Sequence, residues 1–302
     1  MGVVMNKKDI ISIVSNFDDV IVSGISSLVM HGVIRKCDSI EIIGKCSSKD
    51  CIIIDYKIDS YDEIDGIKCM NLNDCLNYFF ELGDKKNYKK LELYLDCLDN
   101  YKYERDLIKE GYKFIGGVDE VGRGPLVGPV VAACCILPLN FKLDGLTDSK
   151  KLSESKRDFF YEEIKKQAVS YGIGVVSCKR IDEINIYEAT KEAMIMAINN
   201  CHVKPDYVLT DAMKLDIDIP ITPIIKGDLR SISISAASVL AKVTRDRMLL
   251  ELDKKYPMYD FKNNVGYPTK KHLEAIEKYG IIDEHRKSYG PVKDYLQKKN
   301  NS

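Results

Sequence analysis

The chain of 302 residues has no tryptophan, only nine prolines and four histidines. It also lacks any apolar run near the roughly 20 residues that cross a bilayer. Few prolines, with 45% hydrophobic and 30% charged residues, exclude a disordered or fibrous protein. The start, Met-Gly-Val-Val-Met-Asn, lacks the apolar core of a signal peptide, and Asn6 stands where a myristoylation signal requires Ser or Thr. We therefore expect a cytoplasmic globular protein with no membrane partner and one or two domains.

The ten cysteines do not form a metal-binding pattern. No two of them make a C-x-x-C motif, and the four histidines are scattered, which argues against a zinc site. Most cysteines lie in apolar surroundings, such as Cys134 and Cys135 in Ala-Ala-Cys-Cys-Ile. We expect these thiols to behave as small buried apolar side chains in a reducing compartment.

The net charge of −1 conceals an uneven distribution. Residues 1–110 hold 15 Lys and Arg against 20 Asp and Glu, residues 111–225 hold 14 against 16, and residues 226–302 hold 16 against 10. Acidic groups therefore precede a basic C-terminal third. This order suits a protein that grips a polyanion with one region and binds metal ions with another, although an ordinary solvated surface explains it equally well.

A polar, helix-compatible stretch at residues 98–112 separates two parts, which we assign as an N-terminal domain (1–105) and a second domain (112–302). In the second domain, strand-like and helix-like segments alternate, which predicts an α/β fold with a central sheet. The predicted strands are 130–137, 172–178, 207–210 and 221–225, and the predicted helices are 153–169, 186–199, 233–254 and 269–279.

Four acidic residues stand where predicted strands end: Asp119, Glu120, Asp211 and Asp228. Strand ends of an open α/β sheet meet at one edge, where converging carboxylates repel one another unless cations lie between them. Oxygen ligands without Cys or His favour Mg²⁺ or Mn²⁺, and two such ions ~4 Å apart can hydrolyse a phosphodiester. Taken singly, a strand-terminal Asp is more often a turn or helix cap.

Adjacent side chains on a regular strand point to opposite faces. Asp119 and Glu120 can therefore share a metal only if the strand ends or bends there, which the following Gly122 allows. The backbone N–H groups of Gly122-Arg123-Gly124 can bind a 2′-hydroxyl or a phosphate oxygen, and Arg123 adds a charged fork. An isolated Gly-Arg-Gly is more often only a tight turn.

Taken together, these segments resemble the signatures of the ribonuclease HII family. The resemblance runs in order along the chain through 117–133 (Gly-Val-Asp-Glu-Val-Gly-Arg-Gly-Pro-Leu-Val-Gly-Pro-Val-Val-Ala-Ala), 148–153 (Asp-Ser-Lys-Lys-Leu-Ser), 226–228 (Lys-Gly-Asp), 235–246, 266–272 and 285–289 (His-Arg-Lys-Ser-Tyr). It covers over half of the chain, from about Phe114 to Tyr289. One departure is Asn264-Val265-Gly266-Tyr267, where relatives often carry His-Lys-Gly-Tyr.

The resemblance implies a ribonuclease H-like fold, a mixed five-stranded sheet with helices on both sides, here preceded by a small α/β N-terminal domain. It implies an endonuclease that hydrolyses the RNA strand of RNA–DNA hybrids and incises 5′ to ribonucleotides in duplex DNA, leaving 3′-hydroxyl and 5′-phosphate ends, with two Mn²⁺ or Mg²⁺ ions. The implied catalytic and metal-binding residues are Asp119, Glu120, Asp211 and Asp228. The family pattern selects Lys-Gly-Asp228 over Asp246, which we interpret as structural.

The resemblance also implies substrate contacts. Gly122, Arg123 and Gly124 would sense the 2′-hydroxyl, and Tyr267 would stack on the neighbouring sugar. Spacing alone would instead favour a core tyrosine at position 267. Further candidates for phosphate contacts are Lys150, Lys151 and Lys242, although an exposed lysine is more often merely solvated.

The first hundred residues lie outside this resemblance. Val22–Gly32 and Met70–Leu76 weakly resemble nucleotidyltransferase-like domains, but an active one would need paired acids after its Gly-Ser turn, and Asp38-Ser-Ile-Glu41 is a poor substitute. We interpret this region as a non-catalytic appendage that can bind a protein partner. A non-enzymatic nucleic-acid-binding protein on a decayed nuclease fold remains an alternative for the whole chain, as does nucleotidyl transfer by residues 1–100.

Overall fold

The computed structural model describes residues 5–17, 20–34, 37, 40–43, 51–54, 56–58, 60–139, 141, 143, 145–146, 149 and 152–300. The chain divides into two compact units, Met1–Leu98 and Asp99–Ser302. The second unit begins before residue 112, where the sequence places its start. Glu104, which the sequence assigns to the first domain, bonds within the second unit: its buried carboxylate accepts hydrogen bonds from the Ser231 hydroxyl (2.6 Å) and the Ser233 N–H (3.0 Å).

The first unit is a small α/β fold. Its elements in chain order are α1 (Lys7–Val14), β1 (Ile21–Val22), α2 (Gly24–Met30), β2 (Ile40–Ile43), β3 (Cys51–Ile53), β4 (Tyr61–Ile64), β5 (Ile67–Met70), α3 (Leu72–Glu81) and α4 (Lys85–Leu98). The strands form a mixed sheet in the order β3-β2-β1-β5-β4. Alternate residues of β2 are buried, Ile40 and Ile42 among them, so one face of this strand packs on an apolar core.

The second unit carries the alternation that the sequence predicts. Its elements are α5 (Lys102–Lys109), β6 (Ile115–Val121), β7 (Val130–Ile136), α6 (Glu154–Gln167), β8 (Ser170–Val176), α7 (Cys178–Ile184), α8 (Ile186–Asn199), β9 (Tyr207–Asp211), β10 (Ile221–Ile224), α9 (Gly227–Arg230), α10 (Ile232–Lys255), α11 (Phe261–Asn264), α12 (Lys270–Tyr279) and α13 (Gly290–Asn300). The end of the strand predicted at 172–178 is wrong, because the Ser177 hydroxyl accepts from the Arg180 N–H and starts α7.

The five strands of this unit lie in the order β10-β9-β6-β7-β8. Strands β10, β9 and β6 are parallel to one another, whereas β7 is antiparallel to both of its neighbours, β6 and β8. The sheet is therefore mixed, as expected. Strand β7 is buried on both faces, because Val130, Ala132 and Cys134 pack towards α8 while the residues between them pack towards α10 and α6. The predicted sheet with helices on both sides is thus confirmed, and so is the burial of Cys134 and Cys135.

In the described part of the chain, no helix combines the length and the apolar character that crossing a membrane requires.

Candidate active site

Two of the four predicted carboxylates lie side by side where the parallel pairing of strands β6 and β9 ends. Strands β6 and β9 are in parallel register with Val118 opposite Thr210, so the next residues, Asp119 and Asp211, are neighbours at the same edge. Asp119 is only 6% exposed. The parallel pairing therefore brings together two acids that are 92 positions apart in the sequence.

A glycine in β6 allows α10 to cover Asp119. A Cβ atom at Gly117 would collide with the carbonyl group of Ser233 and the backbone nitrogen of Ile234, so the helix packs directly on the strand backbone. Asp119 lies two residues after Gly117 on the same face of β6. Its carboxylate accepts a hydrogen bond from Ser238 of α10. This serine is in turn 2.9 Å from the Ser149 hydroxyl. The helix thus supplies the hydroxyl that orients Asp119.

The environment of Asp119 disfavours its charge. Burial raises the pKa of this carboxyl well above its ordinary value of 3.8, and the negative charges of Glu120 and Asp211 raise it further. The hydrogen bond from Ser238 acts in the opposite direction but does not reverse the shift. Asp119 therefore holds a proton more readily than an ordinary aspartate, unless a cation replaces that proton.

Asp228 reaches the same edge through a tight turn. Lys226 has a left-handed backbone (φ +56°), after which the N–H of Gly227 donates to Asp211 Oδ1 at 2.8 Å. A Cβ atom on Gly227 would lie 2.6 Å from Ile234 Cδ1, so a larger residue here would displace the end of that side chain. Asp228 is 8% exposed and follows directly. Each residue of the Lys-Gly-Asp motif therefore has a role in placing the acid beside Asp211.

Glu120 leaves the opposite face of β6 from Asp119, because the strand stays paired with β7 as far as Val121. The bend that sequence reasoning placed here occurs at Gly122, where φ is +94°. The Glu120 side chain is 14% exposed, and its Oε1 lies 3.4 Å from the Arg123 guanidinium. Glu120 thus shares the sheet edge with Asp119 and acts on its charge, but not from the same face of the strand.

The chemistry of this edge fits a hard divalent cation. Among the described residues, no three or more His, Cys, Asp or Glu side chains are gathered into a group that would hold a metal ion. The candidate donors are nevertheless all carboxylate oxygens, the ligands that suit Mg²⁺ or Mn²⁺. Burial and, after it, the charges of Glu120 and Asp211 raise the pKa of Asp119, and a cation between the acids would offset both effects.

The segment Gly122–Gly124, here called the glycine loop, is fixed by a buried arginine. Arg286 is fully buried and donates to the carbonyl oxygens of Gly122 (2.6 Å), Arg123 (3.1 Å) and Gly128 (2.8 Å). These bonds hold the loop by its carbonyl groups and do not use its backbone N–H groups. The N–H groups of a fixed loop are suited to binding a hydroxyl or phosphate oxygen.

A second buried arginine supports the same region. Arg245 of α10 donates to the carbonyl oxygens of Val127 (2.9 Å), Pro129 (3.0 Å) and Val265 (3.1 Å). Burial and the nearby charge of Arg286 lower the pKa of Arg245 to about 10, which still leaves it charged at neutral pH. Sequence reasoning gave neither arginine a role, nor Ser238. The available signal was a charged residue within each resembling motif that had no assigned partner.

Tyr267 lies beside the glycine loop and not in the core. It is 47% exposed, and a Cβ atom on Gly124 would lie 3.2 Å from its Cε1 atom. Its position is set by the preceding Gly266, which has φ +85° and accepts a hydrogen bond from the Leu126 N–H at 2.7 Å. The spacing argument for a core tyrosine is therefore wrong, and the ring is available to a ligand.

The lysine candidates have different outcomes. Lys242 forms an ion pair with Asp246 (2.7 Å) within α10, so Asp246 is the partner of a lysine, in line with the structural role expected for it. Lys150 and Lys151 lie outside the described residues. Their predicted phosphate contacts stay predictions, as does that of Lys242.

In the first unit, the turn that a nucleotidyltransferase would use is occupied by the chain's own carboxylate. Glu41 Oε2 accepts from the Ile25 N–H at 2.8 Å, and a Cβ atom at Gly24 would collide with that oxygen. Burial raises the pKa of Glu41. Because an acidic side chain already accepts this N–H, the turn gives no support to nucleotidyl transfer.

The region that holds these residues is similar in sequence to known proteins. Residues 116–290 match the family model described as Ribonuclease HII. Ribonuclease HII of Bacillus cereus (strain Q1) is 58% identical over 218 residues, which cover 72% of this chain and 82% of that protein. Ribonuclease HII of Bacillus mycoides (strain KBAB4) is 56% identical with the same coverage.

Solved structures show the same fold. The ribonuclease H2 from Pyrococcus horikoshii OT3 is similar with a TM-score of 0.55 and 25% identity, over 63% of this chain and 100% of that chain. The RNase HII of Archaeoglobus fulgidus, solved in complex with PCNA, has a TM-score of 0.50 and 24% identity, over 59% of this chain and 96% of that chain.

Proposed function

The chain belongs to the ribonuclease HII family, and from that premise we propose that it incises duplex DNA on the 5′ side of an embedded ribonucleotide by two-metal-ion hydrolysis. Membership makes it a ribonuclease H-type hydrolase that acts on RNA–DNA hybrids. The incision leaves 3′-hydroxyl and 5′-phosphate ends. A cytoplasmic location and a protein partner for residues 1–105 stay predictions.

The observation that carries the proposal is the row of acids at one sheet edge, with Asp119, Asp211 and Asp228 on adjacent elements. With Glu120 they would hold two Mn²⁺ or Mg²⁺ ions, which when bound activate a water molecule and neutralise the phosphate. Ser238 holds the Asp119 carboxylate in place. Burial of Asp119 and Asp228 keeps bulk water away from this part of the edge and strengthens its electrostatics.

Selection of RNA is assigned to the glycine loop and Tyr267. The N–H groups of the loop bind the 2′-hydroxyl, the group that separates a ribonucleotide from a deoxyribonucleotide. The exposed ring of Tyr267, next to Gly124, stacks on the sugar that follows. Because the loop is held by the buried Arg286, it needs no reorganisation when the substrate arrives, which favours selective binding.

The proposal is tested with two substrates, a DNA duplex with one ribonucleotide and an RNA–DNA hybrid, each in Mg²⁺ and in Mn²⁺. Asp228→Asn should slow cleavage of both by roughly 100- to 1,000-fold, the usual loss when one electrostatic stabiliser is removed. Asp246→Asn is the matched control and should cleave at close to the wild-type rate. Equal losses in the two variants, or no cut on the 5′ side of the single ribonucleotide, would contradict the proposal.

The two alternatives for the chain find no support. Members of this family are hydrolases, and all four candidate carboxylates are present, so a decayed, non-enzymatic protein is not the better explanation. Nucleotidyl transfer by the first unit is disfavoured by the position of Glu41, whose carboxylate caps the turn at Ile25.

A further inference from the structure

Two buried histidines form a hydrogen-bonded pair close to Tyr267. His272 is 0% exposed and His285 is 1% exposed, and their Nε2 atoms are 3.3 Å apart. The rings pack against Tyr259 and Phe261, with ring centroids 5.4 Å apart for Tyr259 and His285 and also for Phe261 and His272. Two facing ring nitrogens can form a hydrogen bond only if one donates and the other accepts.

The other nitrogen of each ring decides which is the donor. His285 Nδ1 accepts a hydrogen bond from the Ile282 N–H (3.0 Å), so its proton is on Nε2. His272 Nδ1 lies 2.9 Å from the Tyr267 carbonyl oxygen, which can only accept, so its proton is on Nδ1 and its Nε2 is free to accept. For two neutral rings, this is the single arrangement that satisfies every bond.

The bonds therefore run in one direction, from the Ile282 N–H through both rings to the Tyr267 carbonyl group. They end on the residue whose ring lies beside Gly124. The residue after His285 is Arg286, which holds the carbonyl groups of the glycine loop. The dipeptide His285-Arg286 thus holds the glycine loop directly through Arg286 and acts on Tyr267 through His272.

We propose that His272 and His285 are positioning residues that set Tyr267 against the glycine loop and so determine the preference for a single ribonucleotide within DNA. This inference rests on the proposed function. The pair does not touch the substrate; it acts through the Tyr267 backbone. A pair that only filled space would be less costly as two apolar side chains, because a buried polar group is stable only when hydrogen-bonded.

The first test compares His272→Phe with His272→Asn. Phenylalanine keeps the aromatic packing but removes the donor to the Tyr267 carbonyl, whereas the asparagine amide can replace Nδ1. His272→Phe should lower the ratio of the cleavage rate on the single-ribonucleotide duplex to that on the long hybrid by roughly three- to tenfold, as expected for the loss of one hydrogen bond. His272→Asn should restore most of the ratio. His202→Phe, at an exposed histidine bonded to Ser170, is the control.

A double-mutant cycle separates positioning from a general loss of structure. In a Tyr267→Ala background, His272→Phe should not change the ratio further, because the residue that it positions is gone. An unchanged ratio in His272→Phe alone, or an equal fall with and without Tyr267, would overturn the positioning role of the histidine pair. A wild-type enzyme that does not cut the single-ribonucleotide duplex would instead overturn the proposed function, and with it the specificity role.

The proton arrangement is measured directly on the unmutated full chain, so that poor folding of a variant cannot leave the proposal untested. Nitrogen-15 NMR of the four histidines at neutral pH should show His272 protonated on Nδ1 and His285 protonated on Nε2. Identical tautomers, or a charged ring at either position, would overturn the proposed series of hydrogen bonds from Ile282 to Tyr267.

Discussion

Asp119→Asn should stabilise the metal-free protein while it abolishes cleavage. The carboxyl of Asp119 is buried beside two other acids, and its pKa is raised well above 3.8. For a group whose folded-state pKa is raised, the stability present at low pH is lost as the pH rises through that pKa. Asparagine has a similar shape without the charge, so the variant avoids this loss at neutral and alkaline pH.

The size of the gain follows from the surroundings. Asp119 is 6% exposed and receives a hydrogen bond from Ser238, which offsets part of the cost of its burial. An incompletely compensated buried polar group costs about 1–3 kcal/mol, and we expect a gain in this range. For a unit of this size, each kcal/mol moves the melting temperature by roughly 2–4 °C.

Differential scanning calorimetry of the full chain in a chelator, at acid, neutral and alkaline pH, measures this effect. The difference between variant and wild type should grow as the pH rises and vanish at acid pH. Excess Mn²⁺ should stabilise wild type, by about 2.7 kcal/mol at 100 times the dissociation constant, and the variant by less.

Asp206→Asn is a control of opposite sign. The carboxylate of Asp206 accepts from the N–H groups of Lys113 (2.8 Å) and Phe114 (2.9 Å), and an amide has only one oxygen to accept both. This variant should melt below wild type. The reasoning about Asp119 is refuted if Asp119→Asn melts at or below the wild-type temperature at alkaline pH without metal.

Three further outcomes are expected. Gly117→Ala should lower the free energy of unfolding by about 1–3 kcal/mol in urea titrations, because its methyl group collides with the α10 backbone, whereas Gly290→Ala has open space and should change it little. Arg286→Lys should lose hydrogen bonds to the carbonyl groups of the glycine loop, which should lower the free energy of unfolding by about 1–3 kcal/mol and slow cleavage of the single-ribonucleotide duplex. An unchanged free energy of unfolding and an unchanged cleavage rate would contradict the role of the Arg286 guanidinium. Burial lowers the pKa of His272 below 6.5 and that of His285 to about 4, so these rings take up protons at a lower pH in the folded state than in the unfolded state. The free energy of unfolding should therefore fall as the pH falls from about 6.5 towards 4, by at most about 1.4 kcal/mol per pH unit for each ring. In His285→Phe this fall should be less steep.

The sequence by itself determined the order of the elements and the place of Asp211 at the end of its strand, whereas Asp119 and Glu120, also expected at a strand end, lie inside β6, which continues to Val121. Helix α8 has the predicted bounds, Ile186–Asn199, and strands β9 and β10 differ from prediction by one residue at the end. These features depend on hydrophobic periodicity and on capping residues close in sequence, which is why they can be predicted locally. Strand-end acids could be expected to meet, because parallel strands place their carboxyl ends at one edge.

The tertiary structure alone decided what holds those acids and the glycine loop in place. Arg286 and Gly122 are 164 positions apart, and only the folded chain shows that this guanidinium binds carbonyl groups in place of a carboxylate. Likewise, the sequence does not show whether Tyr267 lies in the core or on the surface. In the folded chain this residue is 47% exposed and its ring lies beside Gly124. Local sequence does not encode such contacts, because the energy of a buried polar group depends on partners that chain topology brings to it.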